Sequence, residues 1–247
     1  DDKFVGNGWS TVFVTNDDQS RAVSRYGNDA PEYRDASAKM LYTFLLTQRA
    51  TPYIYNGDEI GMKNIRFKNI EQYNDLQTRN RYYMALKESN EKAAAWLLNQ
   101  QELSRDNSRT PMQWNNTAHA GFTTGKPWLP VNEDYISVNI LQSEKDNNSI
   151  LLFVRKMIAL RNDYKDILVY GKYQLLDKDN PDVYAYTRTN GKDIFLVLLN
   201  FRKTVGATII PDGYSLGEEL INNLQPLKFE GDKIILQPYQ ACVVKLK

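Results

Sequence analysis

A short apolar run, Thr11-Val12-Phe13-Val14, is followed at once by a loop dense in acids, amides and guanidinium groups, Thr15-Asn16-Asp17-Asp18-Gln19-Ser20-Arg21-Ala22-Val23-Ser24-Arg25-Tyr26-Gly27-Asn28-Asp29. A helical pattern opens near Pro31. A second apolar run, Thr51-Pro52-Tyr53-Ile54-Tyr55, ends in another polar loop, Asn56-Gly57-Asp58-Glu59. Strand, polar loop, helix, strand, polar loop is a βαβ unit, and no other feature restricts the fold as much. Parallel pairing sets both polar loops at the same end of the sheet. Such loops are where α/β proteins build their sites. Asp18 can reach a ligand from there, with Arg21 and Arg25 expected to keep the acids ionised. A solvated surface turn is the bland alternative; polar density directly after a buried strand favours a site.

The first helix is expected from about Pro31 to Gln48. Pro31 suits a first turn, Glu32 and Asp35 suit the positive end of the dipole, and Ala38, Leu41, Phe44 and Leu45 recur at helical spacing. Residues 69–104 read as two helical stretches broken near Ser89-Asn90, too long for a plain connection and so an excursion over the site. Arg105 to Trp128 is irregular. A helix returns over Ser149–Asn162, with Leu152, Met157, Ile158 and Leu160 on its apolar side and Lys156 and Arg161 on its polar one. From about Val169 the period changes to alternation. Val183-Tyr184-Ala185-Tyr186-Thr187 and Ile194–Leu199 flank the turn signal Asn190-Gly191. Pro211-Asp212-Gly213 and Glu230-Gly231-Asp232 separate later strands, and Ala241–Leu246 closes the chain. Short strands at this spacing predict an antiparallel sandwich, with the domain boundary near Asp166.

Composition narrows the partners. Lys+Arg 31 against Asp+Glu 30 leaves a net charge of +1, so no field draws in nucleic acid or an anionic membrane. No apolar run is long enough to span a bilayer. Asp1–Gly8 carries no signal-peptide pattern; the compartment is left unknown, with a cytoplasmic location favoured. The single Cys242 excludes an internal disulfide or a cysteine-based zinc cluster, and its setting in Ala241-Cys242-Val243-Val244 reads as a buried strand. The single His119 argues against Ser-His-Asp chemistry and multi-histidine metal sites, and reads as structural. Sixteen Tyr, nine Phe and four Trp supply rings that suit sugar faces, although they are also ordinary core material.

Three stretches carry a resemblance. Gly8-Trp9-Ser10-Thr11-Val12-Phe13-Val14 with its loop to Gly27 is similar to the seventh barrel strand of the alpha-amylase superfamily, most closely its oligo-1,6-glucosidase and α-glucosidase branch. Thr51-Pro52-Tyr53-Ile54-Tyr55-Asn56-Gly57-Asp58-Glu59-Ile60-Gly61-Met62 resembles the eighth strand of that branch. Arg105-Asp106-Asn107-Ser108-Arg109-Thr110-Pro111-Met112-Gln113-Trp114 and His119-Ala120-Gly121-Phe122-Thr123-Thr124-Gly125 resemble the long loop that follows it. The matches keep the family's order from about residue 8 to the C-terminus.

The resemblance implies an α/β plus all-β chain: the C-terminal portion of a TIM (β/α)8 barrel, strands seven and eight with their helices (residues 1–166), then an antiparallel β-sandwich (residues 167–247). It implies a retaining α-glucosidase acting on short α-linked gluco-oligosaccharides such as isomaltose or maltose. Such chemistry needs a nucleophilic carboxylate and a carboxylic acid roughly 5–5.5 Å apart. In the family these follow strands four and five, so this chain is expected to be inactive alone. Asp18 matches the third acid, which grips ring hydroxyls and stabilises the transition state. Arg109 matches an arginine of the same subsite, Asp17 is an expected substrate contact, and Arg25 and Arg105 are expected supporting groups.

Four positions depart from the family: Asp17 stands for a histidine, Ser20 for a proline, Asn56 for a glutamine and Asp58 for a glutamate. Asp17 can only accept where histidine donates, which motivates an alternative, a non-catalytic carbohydrate- or protein-binding relative. No cofactor and no metal are expected. Two strands cannot close a barrel, so Val12, Phe13, Tyr53 and Ile54 should leave an open edge that pairs with the remainder of a barrel or with another copy.

Overall fold

The computed structural model describes residues 8–247. The chain runs from β1 (Thr11–Val12) through a short α1 (Ala22–Arg25) and a longer α2 (Arg34–Leu46) to β2 (Thr51–Pro52). β1 and β2 pair in parallel, Thr11 opposite Thr51 and Val12 opposite Pro52. That is the expected βαβ order. The strands are shorter than the apolar runs that contain them, and Phe13, Tyr53 and Ile54 are exposed. Next come α3 (Leu76–Glu88), α4 (Asn90–Leu103), α5 (Ile140–Ser143), α6 (Ile150–Asp163) and α7 (Lys165–Leu168). Ser89 is the break between α3 and α4, and its side chain accepts from Lys92 N to cap the second helix. The chain ends in β3 (Lys172–Leu176), β4 (Val183–Thr189), β5 (Ile194–Asn200), β6 (Gly206–Ile209), β7 (Leu216–Asn222), β8 (Lys228–Glu230), β9 (Lys233–Leu236) and β10 (Ala241–Leu246).

These elements form two compact units. The first holds the segments up to Val14, Ala30–Tyr53 and Phe153–Lys247; the second holds Thr15–Asp29 and Ile54–Leu152. In the first unit a five-stranded antiparallel sheet, β3-β4-β5-β10-β7, faces a three-stranded one, β6-β9-β8. Val183, Leu196, Leu198 and Val244 of the larger sheet and Ile234 and Leu236 of the smaller fill the space between them. The opposite face of the larger sheet is covered as well: α2 packs on β5 and β10, and Tyr164 stacks edge-on against Phe195 at 5.0 Å. Burial on both faces is why β5 reads Ile-Phe-Leu-Val-Leu-Leu without alternation. The Asn190-Gly191 signal does make a hairpin, with a four-residue loop in which Asn190 Oδ1 accepts from Lys192 N and Asp193 N (3.0 and 2.9 Å) and Gly191 sits at φ 91°. Cys242 is fully buried in β10, as expected.

Two helices differ from expectation. α2 starts at Arg34 because Pro31 lies in a preceding turn closed by Tyr33 N on Ala30 O (2.9 Å). α2 is also buried nearly all round. Its Thr43 and Thr47 hydroxyls are satisfied by carbonyls one turn back, at 3.0 and 2.6 Å. In α6 the buried stripe is Ile150, Phe153, Val154, Met157 and Arg161, whereas Ile158 is exposed. Arg161, expected on the polar side, points inward because its guanidinium donates to Leu46 O, Gln48 O and Ala50 O (2.7, 2.9 and 2.7 Å). Among the described residues no helix is long and apolar enough to cross a membrane. Asp1–Asn7, most of the segment read for a secretion signal, lies outside the described residues.

Candidate active site

The residues of the site belong to the second unit. After Val14 the chain turns sharply: Asn16 Oδ1 accepts from Asp18 N at 2.9 Å, closing an Asx turn. The turn leaves the Asp18 side chain 62% exposed. Its Oδ1 accepts from two guanidinium groups, Arg109 Nη2 at 2.7 Å and Arg105 Nη1 at 3.2 Å. Arg109 Nε also donates to Asp17 O at 2.6 Å, so this arginine grips the loop backbone and the carboxylate together. The Asp17 side chain is exposed beside it. Ion pairs this open contribute about 0–1 kcal/mol to stability. Their effect is positional: two donors on one oxygen hold an ionised, largely exposed carboxylate in place as an acceptor for hydroxyl groups.

Arg105 is anchored from behind. Its Nη2 donates to Asp75 Oδ1. The other oxygen of Asp75 caps α3 by accepting from Thr78 N and Thr78 Oγ1 (3.0 and 2.8 Å). Burial pushes the Asp75 carboxyl up, but the hydrogen bonds from Thr78 and Arg105 outweigh it and hold its pKa below the usual range. Asp106, fully buried, accepts from Asn74 N and Asp75 N (2.7 and 2.8 Å) and fixes this corner. The excursion over residues 69–104 thus brings Asp75 onto the arginine that meets Asp18. Asp75 was not singled out from sequence, although Asp75-Leu76-Gln77-Thr78 ahead of a helix carries an N-cap signal.

Arg21 and Arg25 lie elsewhere. Arg21 is fully buried; its Nη1 donates to Asn56 O at 2.7 Å, lies 3.6 Å from Asp58 Oδ1, and its guanidinium sits over the Tyr55 ring at 5.4 Å. Its counter-ion is therefore the buried acid of the second polar loop. Arg25 is exposed at the end of α1 and lies over the Tyr26 ring at 5.0 Å. The cations on Asp18 are Arg105 and Arg109, in place of the two expected from the same loop. Gly57 makes the Asn56–Glu59 turn possible: at φ +94° a Cβ there would run into Met62 Sδ. His119 sits in the left-handed region at φ 53° in an exposed loop.

Burial pushes the Asp58 carboxyl up to about 6, and the Arg21 charge offsets this only in part. Between the ordinary 3.8 and about 6 the folded chain therefore holds more protons at Asp58 than the unfolded chain does. Stability should fall as pH rises through that window, by about 1–3 kcal/mol. Urea midpoints measured across it should show this slope in the native chain and a flatter one in Asp58→Asn. An equal slope in both would mean that Asp58 is not the group responsible.

Residues 1–171 match the family described as alpha amylase, catalytic domain. Residues 183–243 match the alpha-amylase SusG C-terminal domain. The chain is 43% identical over 245 residues to the oligo-1,6-glucosidase of Parageobacillus thermoglucosidasius, covering 98% of this chain and 43% of that enzyme. It is 39% identical over 245 residues to the trehalose-6-phosphate hydrolase of Bacillus subtilis (strain 168), with coverage of 98% and 43%. The trehalulose synthase MutB from Pseudomonas mesoacidophila MX-45 superposes with a TM-score of 0.92 at 40% identity, over 98% of this chain and 44% of MutB. The chain thus spans less than half the length of these relatives.

Proposed function

Because the chain belongs to the alpha-amylase catalytic-domain family, we propose that it carries the sugar-gripping side of a retaining α-glucosidase site. β1 and β2 are the seventh and eighth strands of a (β/α)8 barrel, and the strands from β3 onward form the antiparallel sandwich that follows it. In this reading the barrel part extends to residue 166 and the sandwich from 167. The substrate is an α-glucosidic bond in a short oligosaccharide such as isomaltose or maltose. Asp18 stabilises the transition state by accepting from ring hydroxyls as the sugar flattens toward an oxocarbenium ion. Arg109 orients Asp18 and donates to the same sugar, and Asp17 lines the approach.

The observation that carries this reading is the Asp18 carboxylate, exposed to solvent yet held by Arg105 and Arg109 at 3.2 and 2.7 Å. The nucleophile and the proton donor follow strands four and five in the family. In this reading neither lies on the two barrel strands of this chain. The polypeptide alone therefore binds sugar without cleaving it. Calorimetric titration with isomaltose should reveal a class of site weakened by about 10–100-fold in Asp18→Ala, the loss expected for hydrogen bonds to a charged group. p-Nitrophenyl α-glucoside should stay intact. Turnover by the chain alone, or unchanged isomaltose binding in Asp18→Ala, would overturn the proposal.

A further inference from the structure

A second concavity in the same unit is lined by Trp128, Tyr135, His119, Lys126, Glu71 and Asn74, with a volume of about 690 Å³. That is within the roughly 300–1,000 Å³ of small-molecule sites. The Trp128 indole is 57% exposed, and among the described residues no other ring or cation stacks on it. Its backbone is fixed: Trp128 O accepts from Asn74 Nδ2 at 2.8 Å, and Asn74 N is held by Asp106 at 2.7 Å. Pro127 and Pro130 stiffen the chain on both sides of it. The His119 part of the lining is held as well. His119 and Ala120 both take left-handed backbone at φ 53° and 57°, pinned by Trp114 N and Asn115 N on Ala120 O (2.9 and 3.1 Å). Two consecutive non-glycine residues in that region are strained, and such strain concentrates where geometry serves a site.

We propose that this groove is a separate binding site for a neutral oligosaccharide, with Trp128 as the stacking platform. A flat, unoccupied aromatic face offers the apolar C–H face of a pyranose a partner, while polar side chains at the rim meet its hydroxyls. Lys126 and Glu71 place opposite charges on the rim, so the groove has no net field to favour a phosphorylated sugar over an uncharged one. Asn74 precedes Asp75, the residue that anchors Arg105 on Asp18. The groove therefore shares a structural corner with the Asp18 site without sharing its residues. The choice of gluco-oligosaccharides as ligands rests on the proposed α-glucosidase reading; the groove itself does not.

The test is a titration of the full 247-residue chain with isomaltotriose and maltotriose, followed by tryptophan fluorescence and calorimetry. A saturable response is expected in the native chain and in Asp18→Ala. Trp128→Ala added to Asp18→Ala, so that the Asp18 site does not contribute, should weaken the remaining binding by about two- to tenfold, with thermal unfolding unchanged by the Trp128 change because the side chain is exposed. Lys126→Ala, also exposed, gives an independent reading that does not alter the chromophore, and should weaken binding as well. Full retention, in the double variant, of the binding seen in Asp18→Ala overturns the groove and leaves the Asp18 reading intact. Loss of every saturable response in Asp18→Ala shows one shared site and likewise overturns a separate groove. No response from any chain overturns both.

Discussion

Replacing Arg161 by methionine should cost the fold about 3–5 kcal/mol, one of the two largest losses expected from any single change in this chain. Methionine fills much the same volume but donates nothing, so the carbonyls of Leu46 and Ala50 lose their guanidinium donor, while Gln48 O keeps only Ala50 N at 3.0 Å. Each buried carbonyl left unpaired costs about 1–3 kcal/mol. Two effects keep the total below the sum. Water can reach part of the opened space, and burial already disfavours the Arg161 charge, holding its pKa below the usual arginine value. Arg161→Lys should fall between the two, because a single ammonium cannot span three acceptors that a planar fork reaches. Urea denaturation is the measurement. A loss below about 1 kcal/mol for Arg161→Met would mean that these carbonyls find other donors.

The second large effect is expected from Arg21→Met. Arg21 is fully buried and Asp58 nearly so, and removing one partner of a buried pair leaves the other charge uncompensated. Such losses run to about 3–5 kcal/mol. The Asn56 carbonyl loses its 2.7 Å donor as well. Because Asp58 can escape its penalty by taking a proton, the cost should be smaller at mildly acidic pH than at neutral pH. The double variant Arg21→Met with Asp58→Asn should recover part of the loss, since the orphaned charge is gone. A double variant as unstable as the sum of the two singles would show that the residues are not coupled.

Much of the architecture is legible in local pattern. The βαβ order, the break at Ser89, the hairpin at Asn190-Gly191 and the buried strand around Cys242 each follow from signals spanning a few residues. Turn chemistry, caps and alternation act over that range, and tertiary packing here reinforces them. The family motifs single out Asp18 and Arg109, and the fold brings the two side chains together at 2.7 Å.

The fate of the charged side chains is a different matter. Arg161 in a helical run and Arg21 in a polar loop look like solvated groups, since arginine is seldom fully buried unless paired. Each is buried because its acceptors lie far off in the chain: Leu46, 115 residues from Arg161, and Asn56, 35 residues from Arg21. Asp18 meets Arg109 across 91 residues for the same reason. Composition and spacing determined which elements form, in what order, and which loops are dense in charged and amide groups. The tertiary structure alone decided which cation answers which acid, because that depends on distance and desolvation in space, and neither is encoded in the neighbourhood of a residue along the chain.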